Sequence, residues 1–276
     1  MNCRLTVFLV SLIAVMLLAF SGLFSEQGVR VWIFDVGQGD AIFIDAPHQQ
    51  MLIDGGPDAL VLERLAAVMP WWDRSIDVVV NTHPHADHVV GLISVLERYQ
   101  VQDMIDGGEG YNTPEFAEYL RLAGVSRRII SASEVIELGD GATLTTLWPA
   151  VPYADAVLED PNDGSVVFLF EYGQTSILLT GDAGLEEELE WEVRDVDILK
   201  VGHHGSETST SQELLDRTTP EVAIISVGED NNYGHPSRFV IERLLRAGIN
   251  VLRTDQNGNV RIRSLGLEPK VKTLQF

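Results

Sequence analysis

The 276-residue chain carries 41 acidic against 19 basic side chains, a formal net charge of −22, and 45% of its residues are apolar. That apolar share suffices for one large buried core and excludes a low-complexity polymer, while the acidic surplus excludes tight binding of polyanions by the whole surface. A single cysteine, Cys3, excludes a disulfide framework and stands outside any lipid-attachment position. From the amino terminus, Leu5 to Phe24 is uncharged, strongly apolar, as long as a bilayer-spanning helix and preceded by Arg4. Residues 1–25 therefore read as a signal peptide or a transmembrane anchor. Ala19-Phe20-Ser21 suits cleavage and the length of the apolar run suits an anchor, and both leave the following domain, residues 29–270, on the extracytoplasmic side.

Within that domain the strands expected to matter each run into a polar loop. Gly37-Gln38-Gly39-Asp40 joins two strands and reads as a hairpin turn. Gln50 to Ile53 leads into Asp54-Gly55-Gly56, and Ile76 to Asn81 leads into His83-Pro84-His85-Ala86-Asp87-His88. Thr175 to Thr180 leads into Gly181-Asp182, Val196 to Val201 into Gly202-His203-His204-Gly205-Ser206, and Glu221 to Val227 toward Gly234-His235-Pro236-Ser237. Helices are expected over 58–69, 86–99, 114–123, 185–192, 209–217 and 237–247. The Pro- and acid-rich stretch Tyr153 to Gly164 reads as the link between two halves, and 249–254 with 259–264 as a hairpin on an Asn257-Gly258 turn. Strand-helix alternation twice over predicts an α/β fold, a four-layer αββα sandwich with mixed sheets.

Six of the seven histidines fall inside three of these motifs. His83, His85, Asp87 and His88 leave one tight strand-to-helix turn, where alternate residues can converge on one ion while the Asp-His pair faces a second, at the roughly 3.5–4 Å separation of dinuclear hydrolases. Imidazole and carboxylate without thiolate suit Zn²⁺, Mn²⁺ or Fe, and argue against a closed structural zinc site. Candidates at strand ends share one rim, where α/β folds build their sites.

The ordered set IDGG (Ile53 to Gly56), THPHADH (Thr82 to His88), TGD (Thr180 to Asp182), HHGS (His203 to Ser206) and GHPS (Gly234 to Ser237) resembles the metallo-β-lactamase superfamily. FDVGQGDA (Phe34 to Ala41), LKVGHHGSETSTS (Leu199 to Ser211) and NNYGHPS (Asn231 to Ser237) are similar to the hydrolase domain of the ComEC competence proteins. The resemblance runs from about Val31 to Arg263. It implies two divalent ions, zinc or manganese: His83 and His85 on one, Asp87 and His88 on the other, Asp182 between them, His235 completing one, and His203 or His204 completing the other or donating a proton. Asp87, His203 and His204 are thus the expected catalytic residues, and Asp54 matches an early Asp that orients ligands. The chain departs from many members at Asn162-Asp163-Gly164-Ser165, where they carry a further ligand histidine and ComEC-type domains do not.

Two cations sharing a water would lower its pKa enough to supply hydroxide near neutral pH. Ser206, Thr208, Asn231 and Asn232 flank the rim, either as hydrogen-bond donors to substrate or as caps and turns. From Arg238 to Arg263 six arginines face Glu242 and Asp255, which reads either as a phosphate-guiding strip or as partners for the acidic remainder. The leading expectation is an exported or anchored dinuclear phosphodiesterase or nuclease acting on nucleic acid or smaller nucleotide esters, a stand-alone relative without the many membrane helices of a ComEC pore. A lactonase- or β-lactamase-like hydrolase of a small ester or amide, and a noncatalytic accessory that retains metal, are the alternatives.

Overall fold

The computed structural model of the protein describes residues 28–276. The chain first lays down β1 (Val29–Ile33), β2 (Ile42–Asp45), β3 (Gln50–Ile53), α1 (Leu60–Val68), β4 (Ser75–Val80), α2 (Ala86–Leu96), β5 (Gln100–Asp106), α3 (Pro114–Ala123) and β6 (Arg127–Ile129). It crosses over to form β7 (Val135–Gly139), β8 (Ala142–Trp148), β9 (Val167–Tyr172), β10 (Thr175–Leu179), α4 (Leu185–Glu188), β11 (Ile198–Lys200), α5 (Gln212–Thr218), β12 (Val222–Ile225), α6 (Arg238–Arg246) and β13 (Asn250–Arg253). A helical turn, α7 (Thr254–Asn257), then returns it to the first layer for β14 (Asn259–Ser264) and β15 (Lys270–Leu274).

Two mixed sheets result. One has the order β15-β14-β1-β2-β3-β4-β5-β6 and the other β13-β12-β11-β10-β9-β8-β7. Alternation along the strands explains how they stack: Val31 and Ile33 of β1 join Phe168, Ile177 and Ile224 of the second sheet in the central core. Trp32, Phe43 and Leu52 turn the other way, onto Val61, Leu92 and Phe116 of α1, α2 and α3. On the far side Leu178, Leu199 and Ala223 pack on Leu214, Val240 and Leu244 of α5 and α6. The architecture is the expected αββα sandwich. Because both faces of the central strands are covered, runs such as Val78 to Val80 carry no polar alternation.

Two expectations are corrected. The halves join through residues 130–134, between β6 and β7, whereas Tyr153 to Gly164 connects β8 to β9, antiparallel neighbours in one sheet. That stretch is a long loop, and it pairs with the loop that follows β5 of the other sheet through Tyr153 N to Gly107 O (3.1 Å) and Gly110 N to Ala156 O (2.8 Å). The carboxyl-terminal pair is no hairpin: β13 pairs with β12 and β14 with β1, in different sheets. The Asn257-Gly258 signal instead closes α7, where Asn257 Oδ1 accepts from Arg253 N at 2.9 Å and Gly258 takes φ +69°. The last strand, β15, runs to Leu274. The apolar segment Leu5 to Phe24 lies outside the described residues, among which no helix is long and apolar enough to cross a membrane.

Candidate metal centre

The first half of the site is fixed by α2 and the loop after β3. His85, in extended conformation, caps α2, and its carbonyl accepts from the amides of His88 (3.1 Å) and Val89 (3.0 Å). Asp87 and His88 are therefore held in the first helical turn. Loop and helix touch without side chains between them: Gly55 N donates to His88 O at 2.8 Å, and a Cβ on Gly91 would sit 1.8 Å from Gly55 O. This close approach seats Asp54, itself at φ +58°, under the motif. Its carboxylate accepts from Thr82 N (2.8 Å), Thr82 Oγ1 (2.7 Å) and His88 Nδ1 (2.7 Å).

The second sheet supplies the facing half. Asp182 follows β10, and its amide donates to Ser165 Oγ at 3.1 Å. After β11, His203 and His204 take consecutive left-handed conformations, φ +46° and +53°, which turn the chain back on itself at the rim. His204 Nδ1 lies 3.0 Å from Ser226 O, an oxygen that can only accept. The proton is thus on Nδ1 and Nε2 faces the site. The same holds at His88, whose Nδ1 is spent on Asp54, and at His83, whose Nδ1 donates to Thr82 Oγ1 at 3.1 Å because the threonine O–H is already given to Asp54 Oδ2. Fixed tautomers of this kind are what ligand histidines require.

Among the described residues, two groups of ligand atoms overlap at His88 toward the pocket, His83, His88 and Asp182, and Asp87, His88 and His204, while a third, Asp40, Asp54 and His88, lies behind them. Asp182 Oδ2 lies between the first two, 3.4 Å from His88 Nε2 and 3.3 Å from His204 Nε2, and the latter is also 3.3 Å from Asp87 Oδ2. His88 Nε2, His204 Nε2 and Asp182 Oδ1 are buried without a hydrogen-bond partner, which buried polar atoms tolerate poorly unless a cation takes that place. Electrostatics agree. Burial disfavours charge on each group, yet the His204 and His88 imidazoles hold Asp182 well below the usual carboxylate range. Against the same burial, Asp182 lifts His88 well above its ordinary value and His204 to about 10. The pocket demands positive charge, and its imidazole and carboxylate donors fit divalent metal ions.

The remaining candidates sit nearer the mouth of a pocket of about 370 Å³, where His85, His203 and His235 are joined by Gln38, Tyr111 and Tyr233. His203 Nε2 is 4.0 Å from Asp182 Oδ2, its Nδ1 is 3.2 Å from Thr208 Oγ1, and burial lowers its pKa. Of the histidine pair, His204 reaches the buried ligands and His203 faces the opening. His235 stacks on Tyr233 at 5.9 Å and lies 5.7 Å, ring to ring, from His203; it belongs to none of the ligand groups. Ser206 Oγ is engaged with Thr208 (3.0 Å), and Asn231 staples its loop through Gly228 O and His235 O, so both act as local fasteners. Asn232 is exposed and outside the pocket lining. Arg238 borders a neighbouring groove with Ser206, Tyr233 and His235.

The arginines do not form a strip. Arg246 pairs with Glu242, Arg253 with Asp255, Arg243 binds the carbonyls of Ser209 and Thr210, and Arg261 and Arg263 lie on β14 in the other sheet. Sequence reasoning also passed over a buried ion pair behind His204: Lys200 Nζ is 2.7 Å from Asp40 Oδ2, and Asp40 Oδ1 is 3.7 Å from His204 Nδ1. The available signal was a lysine inside the apolar run Val196 to Val201. The Gly37 to Asp40 segment is both a connection between the antiparallel β1 and β2 and a wall of the site, since Gln38 lines the pocket.

An αββα sandwich whose strand ends present buried His and Asp donors defines a metal-binding hydrolase fold. The sequence profile of the Metallo-beta-lactamase superfamily matches residues 34–229, and the chain belongs to that superfamily. Over 274 residues it is 33% identical to ComE operon protein 3 of Bacillus subtilis, covering 87% of this chain and 33% of that protein. It is 31% identical to Recombination protein 2 of Haemophilus influenzae, over 87% of this chain and 30% of that one. The chain thus spans about a third of the length of these curated relatives. Among solved structures, the metallo-beta-lactamase fold protein YhfI of Bacillus subtilis superposes with a TM-score of 0.57 at 10% identity, covering 85% and 99% of the two chains, a likeness of fold alone.

Proposed function

We propose that this chain is a dinuclear metal-dependent phosphodiesterase or nuclease, attached to or exported across a membrane by its amino-terminal segment. The observation that carries the reading is the position of Asp182 Oδ2 between the His88 and His204 imidazoles, which links the group His83, His88 and Asp182 to the group Asp87, His88 and His204. Bound divalent ions would supply Lewis acidity and a nucleophile at neutral pH. The chain's own residues then divide the work. His83, His88, Asp182, Asp87 and His204 hold the ions, and Asp54 and the Ser226 carbonyl keep His88 and His204 in the ligating tautomer. His203, oriented by Thr208 and open to the pocket, delivers a proton from Nε2 to the leaving oxygen. Similarity to competence proteins supports a nucleic-acid or nucleotide substrate.

A small-ester substrate is favoured by a different observation, the net charge of −22 together with Glu115 and Asp87 at the pocket. The two readings separate in one assay: hydrolysis of bis(p-nitrophenyl) phosphate and single-stranded DNA with Mn²⁺ or Zn²⁺, beside Asp182→Ala. Metal-dependent cleavage lost in the variant is the expected result; a metal-loaded protein inert toward both would leave the small-ester hydrolase.

A further inference from the structure

The end of the sandwich opposite the metal centre has a chemistry of its own. Strands β1, β3 and β4 run in one direction, so Gly28, at the start of β1, and the loop before β4 both lie at the end away from His83 to His88. The turn after β14 joins them there, because Val29 faces Ser264. Two pairs of large apolar side chains are exposed at this end. Trp71 and Trp72 are 81% and 69% exposed and meet edge to face at 5.6 Å, and Leu265 and Leu267 are 52% and 62% exposed. The charges beside these side chains in the sequence are paired in sign, Asp73 with Arg74 and Glu268 with Lys270.

The apolar stretch Leu5 to Phe24 meets the domain at this same end, with only Ser25, Glu26 and Gln27 before Gly28. At roughly 3.5 Å per extended residue, Gly28 cannot stand farther than about 14 Å from Phe24. Gly28 in turn packs beside Leu265, since a Cβ on it would meet Leu265 Cδ2 at 2.6 Å. A membrane-spanning Leu5 to Phe24 therefore brings this end into the headgroup layer, where tryptophan, apolar in body and polar at Nε1, is at its most favourable.

We infer that the end bearing Trp71, Trp72, Leu265 and Leu267 is a docking surface for the lipid bilayer, seating the domain with its metal centre opening away from the membrane. This rests on the membrane attachment proposed above and is independent of the phosphodiesterase chemistry. Exposed apolar clusters of this kind mark binding surfaces, and the tethered bilayer is the partner within reach.

The test uses the full chain in vesicles of phosphatidylcholine with a minor share of phosphatidylglycerol, prepared with and without bromine on the upper acyl carbons. Brominated lipid should quench tryptophan emission in the wild type, and the quenched fraction should fall at least about twofold in W71S/W72S, because Trp32 and Trp191 are buried and Trp148, at the carboxyl end of β8, lies at the metal-centre end. Flotation and retained metal content certify attachment and folding of the variant. Equal quenching in two floating proteins overturns the docking surface and leaves the anchor intact; a chain that does not float overturns both. Tryptophans shielded from aqueous acrylamide yet silent to brominated lipid would assign the surface to a second copy of the chain, which also overturns the inference.

Discussion

At the scale of single residues, the site depends on hydrogen bonds that fix which nitrogen faces inward. Asp54 binds Thr82 twice and His88 once, so one carboxylate orients His88 directly and His83 through the threonine hydroxyl. Asp54→Ala should weaken divalent-metal affinity about 10–100-fold in a competitive chelator titration, and unchanged affinity would remove Asp54 from this role. The same cluster sets a pH dependence for the metal-free protein. His204, at about 10 in the folded state, and His88, well above its ordinary value, both gain from Asp182 when protonated. Their contribution is fully present below pH 6.5 and is lost as pH rises toward 10. The melting temperature of chelator-treated protein should accordingly fall across that window, and metal-loaded protein should lack the fall; a flat metal-free profile would mean that these imidazoles are neutral. The ligand motif was readable in the sequence because its members are neighbours on one turn. The Asp40–Lys200 pair was not, since its partners belong to different sheets and meet only when the sandwich closes.

At the scale of elements, α2 matters through what it lacks. Gly91 lets the helix rest on the backbone of Gly55, and Gly91→Ala should force the helix from the loop that carries Asp54. The expected cost is about 1–3 kcal/mol in urea unfolding, with a parallel loss of metal because Asp87 and His88 ride on the same helix; a variant of unchanged stability would show that the contact relaxes freely. Helices with strong apolar periodicity, such as α2, α3 and α6, could be anticipated, and so could β3, β4, β10, β11 and β12. Strands β7 and β8 went unread although Glu137, Thr143 and Thr145 alternate with buried Ile136, Leu138, Ala142 and Leu144, the period of two that a half-covered strand carries. The Asn257-Gly258 signal was real as a turn and misleading as a hairpin. Thr254 Oγ1 donates to Val227 O at 3.0 Å and accepts from Val227 N at 2.8 Å, tying α7 to the loop after β12 while the chain changes sheet.

For the whole molecule, the acidic surplus and the dispersal of the arginines bound how a polyanion can be held. Arg238 is at the groove with its guanidinium 4.8 Å over the Phe239 ring, and the other arginines of 238–263 lie elsewhere or are engaged. A single phosphate contact implies a shallow salt slope, so raising salt fourfold should weaken single-stranded DNA cleavage about threefold, and Arg238→Gln should flatten even that. A loss of orders of magnitude would reveal a basic track built from other residues.

The pairing of β1 with β14 also governs how the protein comes into being. Val29 is among the first residues of the domain to be synthesised and Ser264 among the last, yet they are partners in one ladder. Until β14 emerges, β1 has a neighbour on one side only, and the first sheet stays open along the edge that later closes it. The β1–β14 ladder is thus withheld until nearly the entire domain has been made, and closing so long a loop of chain slows the last step of folding.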